Sequence, residues 1–290
     1  MITGTTKLLG VIGNPVEHSL SPLMHNAALA RLDLNYVYLP FPIEPENLAK
    51  ALDGFAAIGV VGFNATIPHK QAIMPLLSEI EPIAQSIGAV NTVFRRDNKW
   101  IGTNTDVEGF VAPLKHLDRD WSQTHAAVLG NGGAARAVVA GCTQLGCASV
   151  TVVGRKLQKL EEFKDSWKDS SLKINLKIHQ WDSLAEIIAN TNLLVNTTPI
   201  GMYPKIENSP INADLFAHLP KDTIIYDLIY TPSPTKFLQY AQQSELEASR
   251  IVIDGLEMLV QQGAAALKMW LQRDVPVDVM RYSLQQKLYG

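Results

Sequence analysis

The chain has 290 residues, enough for two ordinary domains with a sizeable core, and 47% of them are hydrophobic against 18% charged. With a mean hydropathy of +0.04 and only two cysteines, neither a disordered tail nor a disulfide-stapled miniature fits. Twenty-five Lys and Arg against 28 Asp and Glu leave a net charge of −3, so no long-range field recruits nucleic acid, an anionic membrane or an anionic metabolite; any bound anion must be gripped locally.

Cys142 and Cys147 lack the CxxC spacing of a zinc or redox pair, and a reducing cytoplasm is the expected compartment. The opening MITGTTKLLGVIG lacks the make-up of a signal or transit peptide, and no 18-residue apolar stretch follows. Seven histidines are scattered without an HExxH or a Cys/His cluster, so no metal is expected.

Short apolar runs alternate with helical patterns, the signature of βαβ units and a mainly parallel sheet. Strands are predicted over 8–12, 36–41, 60–64 and 89–94, with helices over 22–32, 45–57 and 68–77. After a turn at Asp97 and Asn98 the chain reaches GTNTD at 102–106, read as the first boundary. A second unit opens with the strand 125–129, a glycine turn, a helix over 136–145 ended by Gly146, and a strand over 149–153. The segment 164–177 reads as a solvated helix end and loop, and further strands are predicted over 192–196, 223–227 and at IVIDG, 251–255. The helix over 257–271 has no strand of its own to cover and is expected to return to the first domain, making that domain discontinuous.

The turn LGNGGAAR places Gly130, Gly132 and Ala135 in GxGxxA spacing between strand and helix. Gly130 suits the tight turn, Gly132 lets backbone approach a pyrophosphate, and Ala135 permits close helix packing. An ordinary glycine-rich βα turn has the same spacing; the correct lengths of strand, helix and second strand favour the dinucleotide reading. A site for NAD usually carries an acid at the end of the second strand, but GRKLQK supplies Arg155, Lys156 and Lys159 there. That favours a 2′-phosphate, hence NADP(H), over a merely solvated basic helix start.

Four polar patches sit where strands end. In EHSLSPLMHN, Ser21 is read as a helix cap followed by Pro22, with Ser19 and Ser21 offering hydroxyls to a small anion. In GFNATIPHK, Asn64 and Thr66 precede a helix whose first turn holds Lys70, against the dipole preference for cations. That makes Lys70 an acid/base candidate, although a lone surface lysine is the commoner case. Asn91 in GAVNT needs partners if buried, and Asp106 in GTNTDVEGF is either a site residue or the cap of the next helix.

Taken in order, HSLSPLMHN, GFNATIPHK, GAVNT, GTNTD, LGNGGAAR, VNTTPIGM, DLIYTPSPT and DGLEMLVQQGA resemble the shikimate dehydrogenase family over essentially the whole chain. The resemblance implies an α/β fold of two domains: a discontinuous N-terminal substrate domain, 1–105 plus 255–290, and a Rossmann-like NADP-binding domain, 106–254, with the active site in the cleft between them. It implies NADPH-dependent reduction of 3-dehydroshikimate to shikimate on the way to chorismate and the aromatic amino acids. Ser19 and Ser21, helped by Tyr230, match the substrate carboxylate site; Asn64, Thr66, Asn91 and Gln262 match groups that bind or brace the ring hydroxyls; Lys70 and Asp106 resemble the catalytic pair. The pyrophosphate loop corresponds to Gly130, Asn131, Gly132, Gly133, Ala134, Ala135 and Arg136. Arg155 and Lys159 correspond to the 2′-phosphate grip, and Thr197, Met202, Leu228, Gly255 and Met258 to the nicotinamide side.

Two departures occur: Ala65 stands where Val is usual and Gly154 where Asn is common. Beside Asp106, Lys70 acts either as the acid/base of the reaction or as a fixed donor and electrostatic clamp. Alternatives to the NADP-dependent enzyme are a quinate/shikimate dehydrogenase using NAD and a non-catalytic regulatory relative, against which the presence of both Lys70 and Asp106 argues. A small-molecule substrate, no nucleic-acid or membrane partner, and a monomer or homodimer complete the expectation.

Overall fold

Alternating short apolar runs and helices build two six-stranded sheets in a computed structural model that describes residues 2–243 and 250–290. The first sheet uses β1 (Lys7–Gly13), β2 (Tyr36–Pro42), β3 (Gly62–Ala65), β4 (Glu79–Ile80), β5 (Thr92–Arg96) and β6 (Lys99–Thr103). The second uses β7 (His125–Leu129), β8 (Ser149–Gly154), β9 (Leu176–Gln180), β10 (Leu193–Asn196), β11 (Ile224–Asp227) and β12 (Ile251–Ile253). Helices in chain order are α1 (Ser21–Arg31), α2 (Leu48–Ala57), α3 (His69–Ala72), α4 (Pro82–Ile87), α5 (Asp106–Val111) and α6 (Gly133–Leu145). They continue with α7 (Leu157–Asp165), α8 (Leu184–Ile188), α9 (Lys236–Gln243), α10 (Leu256–Leu271) and α11 (Val277–Tyr289).

Two compact units result, Met1–Gly109 with Leu259–Gly290, and Phe110–Met258. Relative to the division read from the sequence, residues 106–109 fall in the first unit and 255–258 in the second. Within the first unit, strand order is β2-β1-β3-β5-β6-β4, parallel through β2, β1 and β3 and antiparallel through β3, β5 and β6. Asp97 and Asn98 both take positive φ, 50° and 60°, the geometry that closes a tight β5–β6 hairpin. One face is an aromatic chain: Phe41, Phe55, Phe63 and Trp100 follow one another at ring separations of 4.9, 5.3 and 5.4 Å.

The opposite side of that sheet is covered from the C-terminal part of the chain. Trp270 of α10 donates from Nε1 to the Val93 carbonyl at 3.0 Å, and its indole lies where a side chain on Gly62 would stand. Gly62→Ala therefore forces the indole or the strand to move, and we expect a loss of roughly 1–3 kcal/mol in urea unfolding. An unchanged midpoint would mean that Trp270 yields freely.

In the second unit the order is β12-β11-β10-β7-β8-β9, all parallel. Strands such as β7, HAAVL, and β10, LLVN, are buried along nearly their whole length, as helices on both faces require. The order reverses between β7 and β10, the switch point at which open α/β sheets bind ligands beyond the strand carboxyl ends.

Several boundaries differ from the sequence reading. The expected helix over 68–77 is α3 followed by a 3-10 turn at Met74–Leu76, so Lys70 sits in a four-residue helix whose dipole is too short to argue from. The loop read over 164–177 ends early, because Leu176 and Lys177 belong to β9, an edge strand whose side chains are half exposed and carry no apolar run. Asn91 precedes β5 rather than lying within it. Among the described residues no helix is long and apolar enough to cross a membrane.

Candidate active site

In the first unit, Lys70 and Asp106 meet at 2.6 Å, with side chains only 16% and 7% exposed. The Lys70 carbonyl accepts from Val90 N at 2.8 Å, tying α3 to the segment before β5. Asp106 opens α5, and its amide donates to Asn104 Oδ1 at 3.0 Å while Asn104 Nδ2 donates to the Ala89 carbonyl at 2.9 Å. Both carboxylate oxygens are committed: Oδ2 to Lys70 and Oδ1 to Asn91 Nδ2 at 2.8 Å. The carboxylate thus serves the ion pair instead of capping its helix.

Asn91 is the centre of this arrangement. Its Nδ2 also reaches Thr105 Oγ1 at 3.0 Å and Gln262 Oε1 at 3.4 Å, and its Oδ1 accepts from Thr105 N at 2.8 Å and Thr92 Oγ1 at 3.0 Å. Gln262, on α10, is steadied by donating from Nε2 to Leu259 O at 2.9 Å. Asn64, at the carboxyl end of β3, donates to Asn91 O and Thr92 Oγ1, each at 3.1 Å, and accepts from the Tyr38 hydroxyl at 2.7 Å. Buried amides of this kind must be paired, and the mutual bonding fixes their orientation.

The chain of bonds continues to the serine turn. Tyr38 is hydrogen-bonded to the Ser21 side chain, and burial pushes its phenol well above the ordinary value, so it stays protonated. The capping roles are reversed from the sequence reading: Ser21 is the first residue of α1 and makes no side-chain cap, whereas Ser19 Oγ accepts from Ser21 N at 3.3 Å. Thr66 packs its methyl where a Gly13 side chain would lie, and its hydroxyl has no partner among the described residues. His25, in the same HSLSPLMHN segment, is packing. It stacks on Tyr38 at 4.1 Å with neither ring nitrogen hydrogen-bonded, and burial lowers its pKa to about 3, leaving it neutral.

In the second unit the residues of the glycine turn gather at the switch point. Gly130 ends β7 with φ 106°, and a side chain there would meet Thr197 Oγ1 at 2.9 Å. Thr197, which follows β10, donates from Oγ1 back to the Leu129 carbonyl at 2.7 Å. Asn131 follows in the turn, Gly132 caps α6, and Gly133, Ala134 and Ala135 form its first turn. A side chain on Gly132 would meet nothing within 4 Å, so the space before the helix amides is open to a diphosphate. Arg136 turns away and stacks on Phe163 at 5.0 Å while bonding Ser166 Oγ at 2.8 Å, so it supports α7 instead of lining the turn.

Arg155 and Lys156, between β8 and α7, are exposed, and their side chains have no ion pair or hydrogen bond among the described residues. Lys159 is already engaged by Glu162 at 2.7 Å on the exposed face of α7. Gly154 is crowded, since a side chain would come within 3.0 Å of Leu160 Cδ2, so the asparagine common at this position would require Leu160 to move. Met202 is 45% exposed, Leu228 N bonds Asn196 O at 3.1 Å, Gly255 lies directly against the Leu228 carbonyl, and Met258 is buried at the start of α10. Tyr230, three residues past β11, belongs to this second unit.

Sequence reasoning passed over Asp227, the last residue of β11. It accepts from Asn196 Nδ2 at 3.0 Å, Ile229 N at 3.1 Å and Thr235 Oγ1 at 2.6 Å, which pins together the loops after β10 and β11. Burial, opposed by those three bonds and reinforced by Asp254, pushes its pKa to about 6. A carboxyl raised in the native state keeps its proton while the unfolded chain loses it, so its stabilising contribution is full below about pH 4 and disappears as pH rises to 6. The stability of the wild type relative to Asp227→Asn is expected to fall by about 3 kcal/mol across that window in urea unfolding. A pH-independent difference would show that Asp227 is ionised throughout.

Parallel strands reversing at a glycine turn, with unpaired cations past the second strand and a buried lysine–carboxylate pair in a separate unit, define a dinucleotide-dependent α/β oxidoreductase. Residues 11–93 match the model of the shikimate dehydrogenase substrate binding domain and 255–285 that of the shikimate 5'-dehydrogenase C-terminal domain. The chain is 66% identical to the shikimate dehydrogenase (NADP(+)) of Nostoc sp. strain PCC 7120 over 290 residues, covering 99% of each. It belongs to the shikimate dehydrogenase family. A shikimate dehydrogenase crystallised with NADP+ superposes with a TM-score of 0.87 at 38% identity, over 100% of this chain and 98% of that one. The Thermus thermophilus enzyme, solved with NADP(H) and shikimate, gives 0.83 at 33% identity over 97% of this chain and 100% of that one.

Proposed function

We infer that this chain catalyses the reversible NADPH-dependent reduction of 3-dehydroshikimate to shikimate, in the pathway to chorismate and the aromatic amino acids. The observation that carries this reading is the Lys70–Asp106 pair, joined through Asn91 to Gln262 and through Asn64 and Tyr38 to the serine turn. A flat polyhydroxylated acid needs that kind of surface: neutral hydroxyls for its carboxylate, fixed amides for its ring hydroxyls, and one proton donor at the reacting oxygen.

In this reading the first unit binds the substrate. Ser19 and Ser21 hold the carboxylate, while Asn64, Thr66, Asn91 and Gln262 bind or brace the hydroxyls. The cofactor, when bound, would supply the hydride for the C3 carbonyl carbon. Lys70 Nζ gives a proton to the carbonyl oxygen during reduction and takes it back from the C3 hydroxyl during oxidation, and Asp106 keeps the ammonium aimed and its charge compensated. The second unit holds the cofactor: the amides from Gly130 to Ala135 face the pyrophosphate, Arg155 and Lys156 take the 2′-phosphate, and Thr197, Met202, Leu228, Gly255 and Met258 border the nicotinamide. The enzyme works in the cytoplasm, as a monomer or homodimer without nucleic-acid or membrane partners.

The test is reduction of NADP+ followed by absorbance with shikimate and then quinate, each repeated with NAD+. Turnover of shikimate with NADP+, at least tenfold better in kcat/KM than any other pairing, is the expected result. Preference for quinate with NAD+ would make it the related quinate enzyme, and no turnover with any pair would make it a non-catalytic relative.

A further inference from the structure

The chain's two cysteines meet at the end of α6 remote from the glycine turn. α6 closes on Gly146, whose φ of 86° is left-handed, with Gly146 N returning to Thr143 O and Cys147 N to Cys142 O, both at 3.0 Å. In this double-bonded helix ending, the side chain after the glycine folds against the one that begins the last turn, ordinarily as an aliphatic contact. Here both groups are thiols, held at the two ends of that ending by the Cys147 N to Cys142 O bond. Cys142 is fully buried, whereas Cys147 is partly open to solvent. Arg119 acts on Cys147 and is itself held in place, by Nε to Thr124 Oγ1 at 3.0 Å and by a terminal nitrogen to the Asp222 carbonyl at 3.0 Å.

We propose that Cys142 and Cys147 are a reversible modification site, at which a small peroxide oxidises Cys147 and Cys142 resolves the product to an intramolecular disulfide. The hydrogen bond from the Cys142 thiol lowers the Cys147 pKa against burial, and the Arg119 guanidinium lowers it further; the same bond and burial raise Cys142. The exposed sulfur is thus the better thiolate and the buried one remains a thiol until a partner appears beside it.

In the first step Cys147 Sγ attacks one oxygen of hydrogen peroxide. An S–O bond forms, the O–O bond breaks, and the departing hydroxide takes the Cys147 proton as water. In the second, Cys142 Sγ attacks Cys147 Sγ, the S–S bond forms, the S–O bond breaks, and hydroxide leaves with the Cys142 proton as a second water. Two thiols lose two electrons and the peroxide gains them. α6 is 13 residues long, about 20 Å, so the disulfide closes at the opposite end from the glycine turn and turnover should persist. The resolving thiol protects Cys147 from the irreversible acids further up the oxidation ladder.

Both cysteines fall in one tryptic peptide, residues 137–155, so mass spectrometry reads the outcome directly. After treatment of the full chain with stoichiometric hydrogen peroxide, that peptide should be lighter by two hydrogens and return to its original mass with dithiothreitol. In Cys142→Ala the peptide should instead gain oxygen on Cys147, and in Cys147→Ser the remaining Cys142 should stay an unmodified thiol. A wild-type peptide that gains oxygen on Cys147 while Cys142 stays free overturns the proposal, as does one left unchanged under conditions that oxidise free cysteine. Neither reading depends on catalytic activity, so the outcome stands apart from that of the shikimate assay.

Discussion

Lys70→Ala lowers kcat by more than about 10²-fold with KM for shikimate little changed, because general acid–base groups supply about 10²- to 10⁴-fold and only in the transition state. The side chain is 16% exposed and its partner 7%, so the substitution also leaves a buried carboxylate with Asn91 as its remaining side-chain donor. Removing one partner of such a pair destabilises by about 3 kcal/mol or more when burial is complete, somewhat less here. Circular dichroism and the KM itself separate the two consequences: a folded variant that still saturates with shikimate but turns over slowly identifies chemistry. Asp106→Asn, which keeps a hydrogen-bond partner for Nζ but removes the charge, should cost less in stability and still reduce kcat. A Lys70→Ala enzyme with near-wild-type kcat would remove Lys70 from the mechanism.

Arg155→Ala and Lys156→Ala are expected to cut the preference for NADPH over NADH, measured as the ratio of kcat/KM values, by about 10- to 100-fold each. Charge-assisted hydrogen bonds to a phosphate are worth roughly 1.5–3 kcal/mol, and NADH has no phosphate to lose. Lys159→Ala should change the ratio little, since Glu162 already holds its ammonium at 2.7 Å on a solvated helix face. If all three variants weaken NADH and NADPH alike, the cations steer the cofactor generally and do not read the 2′-phosphate.

Much of this protein could be read along the chain. Parallel strands buried on both faces, such as IIYD of β11, announce themselves as unbroken apolar runs, and the glycine turn sits at fixed spacing after one of them. Edge strands such as β9 carry no such mark, because one side pairs and the other meets water, so LKIHQ looks like loop. Polar residues were legible from their local setting: Asn91 interrupts an apolar run, Lys70 falls in the first turn of an expected helix, and Asp106 stands at an expected boundary. Tyr38 was read only as part of the strand over 36–41, since nothing local reveals that its hydroxyl donates to Asn64. Asp227 was passed over for the same reason, its three donors lying on Asn196, Ile229 and Thr235.

By itself, the sequence determined the class of fold, the place of the dinucleotide turn and the residue types available for chemistry, because period, turn glycines and local charge depend on neighbours in the chain. Tertiary structure alone decided how those residues are used. It turned Arg136 from the glycine turn toward Phe163 and Ser166. It also brought Gln262 to Asn91 across 171 positions of sequence. Hydrogen bonds and ion pairs act over about 3 Å, and residues distant in the chain come within that range only when the sheet and its helices have packed.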